Sequence, residues 1–141
     1  MPTTIVHSPL LQGESVIGTS DTPTTVNTGY TTQSDWTDSS IAGQVSWFVD
    51  VGPLTGGAAT LSVQVEWSPD GGDTAFLQGT EAIASGVSTI SSYEAQFTLQ
   101  ALDSQQLPPL ALPVIAPLVR IKAKVDTGTA AIHISCVTQK F

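Results

Sequence analysis

From Leu61 to Ser68, within the stretch ATLSVQVEWSPDGG (59–72), eight consecutive residues alternate without a violation. Leu61, Val63, Val65 and Trp67 fall on one side of an extended chain, and Ser62, Gln64, Glu66 and Ser68 fall on the other. A period of two is the signature of a strand with one face in a core and one toward water. Pro69-Asp70-Gly71-Gly72 then stops it, because Pro presets a turn and removes a donor while Gly tolerates positive φ. No helix can satisfy this pattern, so the chain must build its core from sheets.

The same alternation recurs along the chain. In IAGQVSWFVDV (41–51), Val45, Trp47, Val49 and Val51 alternate with Ser46, Phe48 and Asp50, and Phe48 marks partial cover on the second face. Gly52-Pro53 and Gly56-Gly57 read as a loop joining this strand to the next in an antiparallel hairpin. Thr74–Gln78 reads as a short partner of the preceding strand, and 81–86 as either a helical turn or part of a strand. YEAQFTL (93–99) is strict again. In 118–125, Ile121, Ala123 and Val125 point inward and Arg120, Lys122 and Lys124 outward; in 130–138, Ile132, Ile134 and Cys136 share a face. Thr22–Thr32 is Thr-rich and suits an edge strand. Six to eight strands about ten residues apart predict an all-β fold, an antiparallel β-sandwich of jelly-roll or immunoglobulin-like topology. Residues 1–20 read as an extended N-terminal arm or peripheral strand, and 21–141 as a single sandwich domain.

Charge narrows the partners. Twelve acidic and four basic side chains give a net charge of −8, which opposes binding to nucleic acid and to anionic membranes. No apolar run is long enough to span a bilayer as a helix, and residues 1–13 lack the features of a signal peptide. With Cys136 as the single cysteine, the chain is expected to be made in the cytoplasm without an intrachain disulfide.

A convergent catalytic set is not legible. His7 and His133 have no second ligand at metal spacing, Cys136 alternates with core isoleucines and reads as an inert thiol, and phosphate-loop and nucleophile-elbow patterns are missing. Asp70 and Asp73 read as turn residues rather than a calcium site. Trp47 and Trp67 belong to core faces; Trp36 alone reads as exposed. The expectation is a protein that is not an enzyme and needs no cofactor or metal.

Two features break the pattern. Asp103–Pro117 (DSQQLPPLALPVIAP) places four prolines among Leu107, Leu110, Leu112, Val114 and Ile115, and reads as an extended polyproline-like segment. It is either a crossover packed on its own sandwich or an apolar docking surface. The row Arg120, Lys122, Lys124 is either a solvated face or a contact with acidic groups of a neighbouring subunit.

The strand and turn VEWSPDGGDTAF, followed by PLVRIKAKVDTGTAAIHISC with its Arg-x-Lys strand in a final hairpin, resembles small β-sandwich virion proteins of tailed bacteriophages. The likeness covers Gln44 to Val137. That resemblance implies a capsid decoration (cement) protein, a homotrimer bound to the major capsid protein on the outer head surface, with no catalytic residues. Ile5 and Val6 of the arm, the apolar residues of 107–115 and the basic row would then be the partner-binding residues. The alternative is a tail-tip module that binds carbohydrate or another ligand, with Trp36 central and Asp70 and Asp73 on calcium.

Overall fold

The computed structural model describes residues 11–84 and 87–140; Ile5, Val6 and His7 lie outside them. The described chain is all strand and turn, without a helix. In chain order the strands are β1 (Leu11–Ile17), β2 (Thr24–Val26), β3 (Thr32–Gln33), β4 (Thr37–Asp38), β5 (Ala42–Thr55), β6 (Ala59–Ser68) and β7 (Phe76–Leu77). There follow β8 (Gly79–Ala84), β9 (Val87–Ser92), β10 (Ala95–Leu99), β11 (Gln105–Gln106), β12 (Leu110–Pro113), β13 (Leu118–Val125) and β14 (Thr129–Lys140).

One sheet runs β1-β14-β5-β11, with β2 continuing the lane of β1 along β14 and β12 continuing the lane of β11 along β5. The other runs β10-β6-β13-β3, with β7 sharing the lane of β10 and β4 the lane of β3. Each sheet therefore has four lanes, and every pairing is antiparallel. The lanes pair as β1/β2 with β14, β3/β4 with β13, β5 with β11/β12, and β6 with β10. That is one long hairpin rolled up so that β14 meets β5 and β13 meets β6, which is the jelly-roll topology and not the immunoglobulin one.

Two expected hairpins are not hairpins. β5 and β6 belong to opposite sheets, as do β13 and β14, so the links at 56–58 and 126–128 arch across the core. Local alternation is the same in either case and cannot distinguish a return within a sheet from a crossing to the other. Nor is Gly52-Pro53 a loop. β5 continues to Thr55, and these two residues form a bulge opposite Ala131, where the register with β14 shifts between Ala130 and Ile132. A bulge leaves a residue unpaired and so tolerates a proline without its N–H.

Inward positions close the core as the alternation predicts. Val45, Trp47, Leu61, Val63, Val65, Trp67, Ile121, Ile132 and Ile134 are buried. The Trp67 indole donates to Gln78 Oε1 at 2.6 Å, which satisfies its buried N–H. Residues 81–84 are strand rather than helical turn. Residues 11–17 take the peripheral-strand alternative, with a bulge between Ser15 and Ile17. Phe48, expected to be partly covered, stands 46% exposed on the outer face.

The two arches hold each other. Thr60 N–H donates to Asp126 Oδ1 at 2.7 Å and Asp126 N–H to Thr60 O at 3.0 Å. Thr129 N–H donates to Thr55 Oγ1 at 2.9 Å. Gly128 sits at φ +65°, and a Cβ there would lie 2.1 Å from Thr55 O. Gly128→Ala is therefore expected to lower stability well beyond the cost of Gly→Ala on an ordinary surface, by about 2–4 kcal/mol. Urea unfolding beside the control Gly57→Ala, which shares the positive φ but meets nothing within 4 Å, measures the part due to the close approach.

Candidate functional site

The basic row lies on the outer face of β13, as its alternation requires, opposite Glu66, Gln64 and Ser62 of β6. Its charges are largely engaged within the chain. Glu66 Oε1 lies 3.5 Å from both Arg120 Nε and Lys122 Nζ, and Glu66 is buried. The Arg120 guanidinium stacks 4.1 Å from the Trp36 ring centroid, and the ammonium groups of Lys122 and Lys124 lie 5.4 and 4.7 Å from that of Tyr30. Tyr30 Oη donates to Glu94 Oε2 at 2.6 Å. Burial, with Glu94 beside it, pushes the Tyr30 hydroxyl well above its ordinary range, while the hydrogen bond from Tyr30 holds the Glu94 carboxyl below its own.

Trp36 is thus not the free indole expected. Half-buried, it lies between Arg120 and the SPDGG turn, where a Cβ on Gly72 would come within 2.9 Å of its Nε1. In that turn Ser68 Oγ donates to Asp70 Oδ1, and Thr74 donates to both Asp70 oxygens, through N–H at 2.9 Å and Oγ1 at 2.7 Å. The carboxylate closes the turn, and the hydrogen bonds from Thr74 hold its pKa down. Among the described residues no group of three or more His, Cys, Asp or Glu is placed to hold a metal ion.

The Pro-rich segment forms β11 and β12 on the free edge of β5. Leu110 lies opposite Trp47 and Leu112 opposite Val45, while the amides of Leu107 and Val114 donate to Val49 O and Gly43 O. Pro108 and Pro109 fall between the two strands and Pro113 ends the second, positions where a missing N–H costs little. Leu107, Leu110, Leu112 and Val114 pack, partly buried, against the sandwich's own core. The polyproline-like reading gives way to an edge strand; Ile115 alone of the five stands free, at 63% exposed.

His133 shows a cluster that the sequence hides. On the outer face of β14, its Nε2 lies 2.9 Å from Ser15 Oγ and 3.2 Å from Ser135 Oγ, and its Nδ1 lies 3.6 Å from Asp50 Oδ2. The order hydroxyl, imidazole, carboxylate is that of a serine hydrolase. However, two hydroxyls share Nε2, and the cluster lies flat on a sheet whose inner strands β14 and β5 spend their amides on both neighbours, where they cannot stabilise an oxyanion. The hydrogen bond between Ser15 and His133 ties edge strand β1 to β14, while the buried Nδ1, facing Asp50 of β5, makes no hydrogen bond. Ser15 is 118 positions from His133, so no local spacing signals it.

Two of the open grooves on this surface bear on its chemistry. A cleft of about 610 Å³ at the β1–β4 edge is lined by Glu14, Trp36, Thr37, Asp38, Cys136 and Thr138. Cys136 is 1% exposed, and burial, with Glu14 nearby, pushes its thiol up to about 12, so it packs as a protonated thiol at neutral pH. A pocket of about 360 Å³ lies among Thr28, Thr60, Ser62, Glu94, Gln96, Lys124 and Asp126. No protein-family model, curated protein or solved structure matches this chain.

Three measurements follow from this chemistry. Glu66→Gln strands two cations on one face and is expected to cost about 1–3 kcal/mol in urea unfolding. Native Cys136 is expected to resist a thiol reagent at pH 8 and to react at once in denaturant. Glu94 and Asp70 have folded pKa values below their unfolded values of 4.5 and 3.8. Their stabilisation is complete above those values and is lost as pH falls through the depressed folded ones. Melts at pH 6 and pH 3 are expected to show a loss that Glu94→Gln reduces.

Proposed function

We propose that this chain is a non-enzymatic structural protein of a tailed-bacteriophage virion, a decoration protein on the outer capsid surface that binds the major capsid protein as a homotrimer. The observation that carries the reading is a complete jelly-roll core with large apolar side chains left outside it. Phe76 and Leu77 are adjacent and 60% and 41% exposed, and Ile41, Phe48, Leu102 and Ile115 also stand at the surface. Apolar groups that a domain does not need for its own core are material for contact with other chains. The likeness of VEWSPDGGDTAF and the following Arg-x-Lys strand to phage virion proteins points the same way. Jelly rolls serve many functions, so the fold agrees with the reading without carrying it.

The internal partners of Arg120 and Lys122 change which cation would serve a capsid contact. Reversing either would disturb Glu66 and the fold, whereas Lys124 lies opposite uncharged Ser62, with the Tyr30 ring and the nearby Glu94 carboxylate as its weaker internal contacts. Purified protein is expected to co-sediment with phage heads that lack it, with Lys124→Glu weakening binding several-fold at low salt and little at high salt. Failure of the native chain to bind such heads overturns the reading.

The second reading, a carbohydrate-binding tail-tip module, is favoured by one feature. The pocket beside Lys124 presents Glu94, Gln96, Asp126 and three hydroxyl side chains together, a set of donors and acceptors suited to a sugar. Silence on a glycan array, with and without calcium, removes it.

A further inference from the structure

The strands β8 and β9 form a two-stranded sheet of their own. Gly79 pairs with Ser92 and so on to Ala84 with Val87, and among the described residues neither strand hydrogen-bonds to either sheet of the sandwich. Among the described residues, backbone hydrogen bonds anchor the hairpin at its root, where Gln78 N–H donates to Val65 O at 2.8 Å and Tyr93 N–H to Gln78 O at 2.7 Å. The exposed Phe76 and Leu77 immediately precede that root.

A two-stranded hairpin without a third strand or a packing partner is marginal in water. It also offers two rows of free backbone donors and acceptors, one on each outer edge, which soluble proteins ordinarily blunt with Lys, Pro or a cover. This one has none of those devices in its sequence. Residues 79–92 read GTEAIASGVSTISS, with no Lys, Arg or Pro and a single charge at Glu81. On a chain of net charge −8, like-charge repulsion opposes contact between copies over most of the surface. The hairpin is a nearly neutral element, rich in β-branched residues, on which copies can meet.

We infer that β8 and β9 join copies of this chain by strand addition, the outer edge of β9 in one copy pairing antiparallel with the outer edge of β8 in the next. A two-fold contact would satisfy one edge of each hairpin and leave the other open. A head-to-tail ring satisfies both, and three copies bring six antiparallel strands into one closed set without a free edge. The inference deepens the homotrimer of the decoration reading and takes the number three from it, since a ring of any size closes both edges; the pairing itself concerns the purified chain alone.

The test is hydrogen exchange with native mass spectrometry on the full chain across a wide concentration series. The expected result is a trimer at high concentration, with the outward-facing amides of Glu81, Ile83, Ser88 and Ile90 gaining protection as it forms. The double variant Ile83→Pro, Ser88→Pro removes one outward-facing amide from each edge, because the bond from Tyr93 N–H to Gln78 O sets 80/91 and 82/89 as the pairs bonded within the hairpin. It is expected to be monomeric with its melting temperature nearly unchanged, since the hairpin pairs with neither sheet. A chain monomeric throughout overturns the inference. So does an oligomer whose hairpin amides exchange as in the monomer, or one that survives both prolines. Protection that appears only when phage heads are added also overturns it and assigns the edge to the capsid instead. Failure of head binding by a hairpin-joined trimer would count against the decoration reading alone.

Discussion

Everything in this sandwich depends on the paired arches at 56–58 and 126–128. They carry β5 into β6 and β13 into β14 across the core, and each is tied to the other through Thr60, Asp126, Thr55 and Thr129. With both crossings fixed at one end, β14 must lie beside β5 and β13 beside β6, the two long pairings at the centre of the sheets. The remaining lanes follow, because each edge strand is added to a strand already placed. The close approach of Gly128 to Thr55 O is the tightest point of this device, and no side chain fits there.

Polar groups on the outer faces tie strands to one another. Glu66 bridges two cations across β6 and β13, Tyr30 and Glu94 link a loop to the root of β10, and His133 spans β1, β14 and β5. Each network joins residues distant in sequence, so each reinforces the rolled topology. Partners held this way are not free for a second chain, which is why a basic row that looks available in the sequence is mostly engaged. The apolar residues behave in the opposite way. Leu107, Leu110, Leu112 and Val114 of the Pro-rich segment turn in to the core, while Phe76, Leu77 and Ile115 remain outside it.

Alternation made the strands legible wherever one face is buried, as in β5, β6, β10, β13 and β14, and it placed Trp47, Trp67 and Cys136 in the core. It misled at Gly52-Pro53, where a bulge carries the strand through residues that usually end one. It also left Trp36 exposed, because nothing near that residue reveals the Arg120 guanidinium and the Gly72 turn that enclose it. The prolines of 108–117 correctly excluded a central strand, yet an edge lane accepts them, since an edge needs only half its amides.

The sequence by itself determined that this chain is all-β, which side of each long strand faces the core, and the turn at 69–72, because those properties depend on neighbours one to four positions away. Only the tertiary structure decided that consecutive strands cross between sheets instead of returning within one. It alone brought Glu66 to Arg120 and Lys122, and Ser15 to His133, and it left β8 and β9 without a third strand among the described residues. These depend on which lanes lie side by side, and side-chain alternation is identical for a hairpin and for an arch.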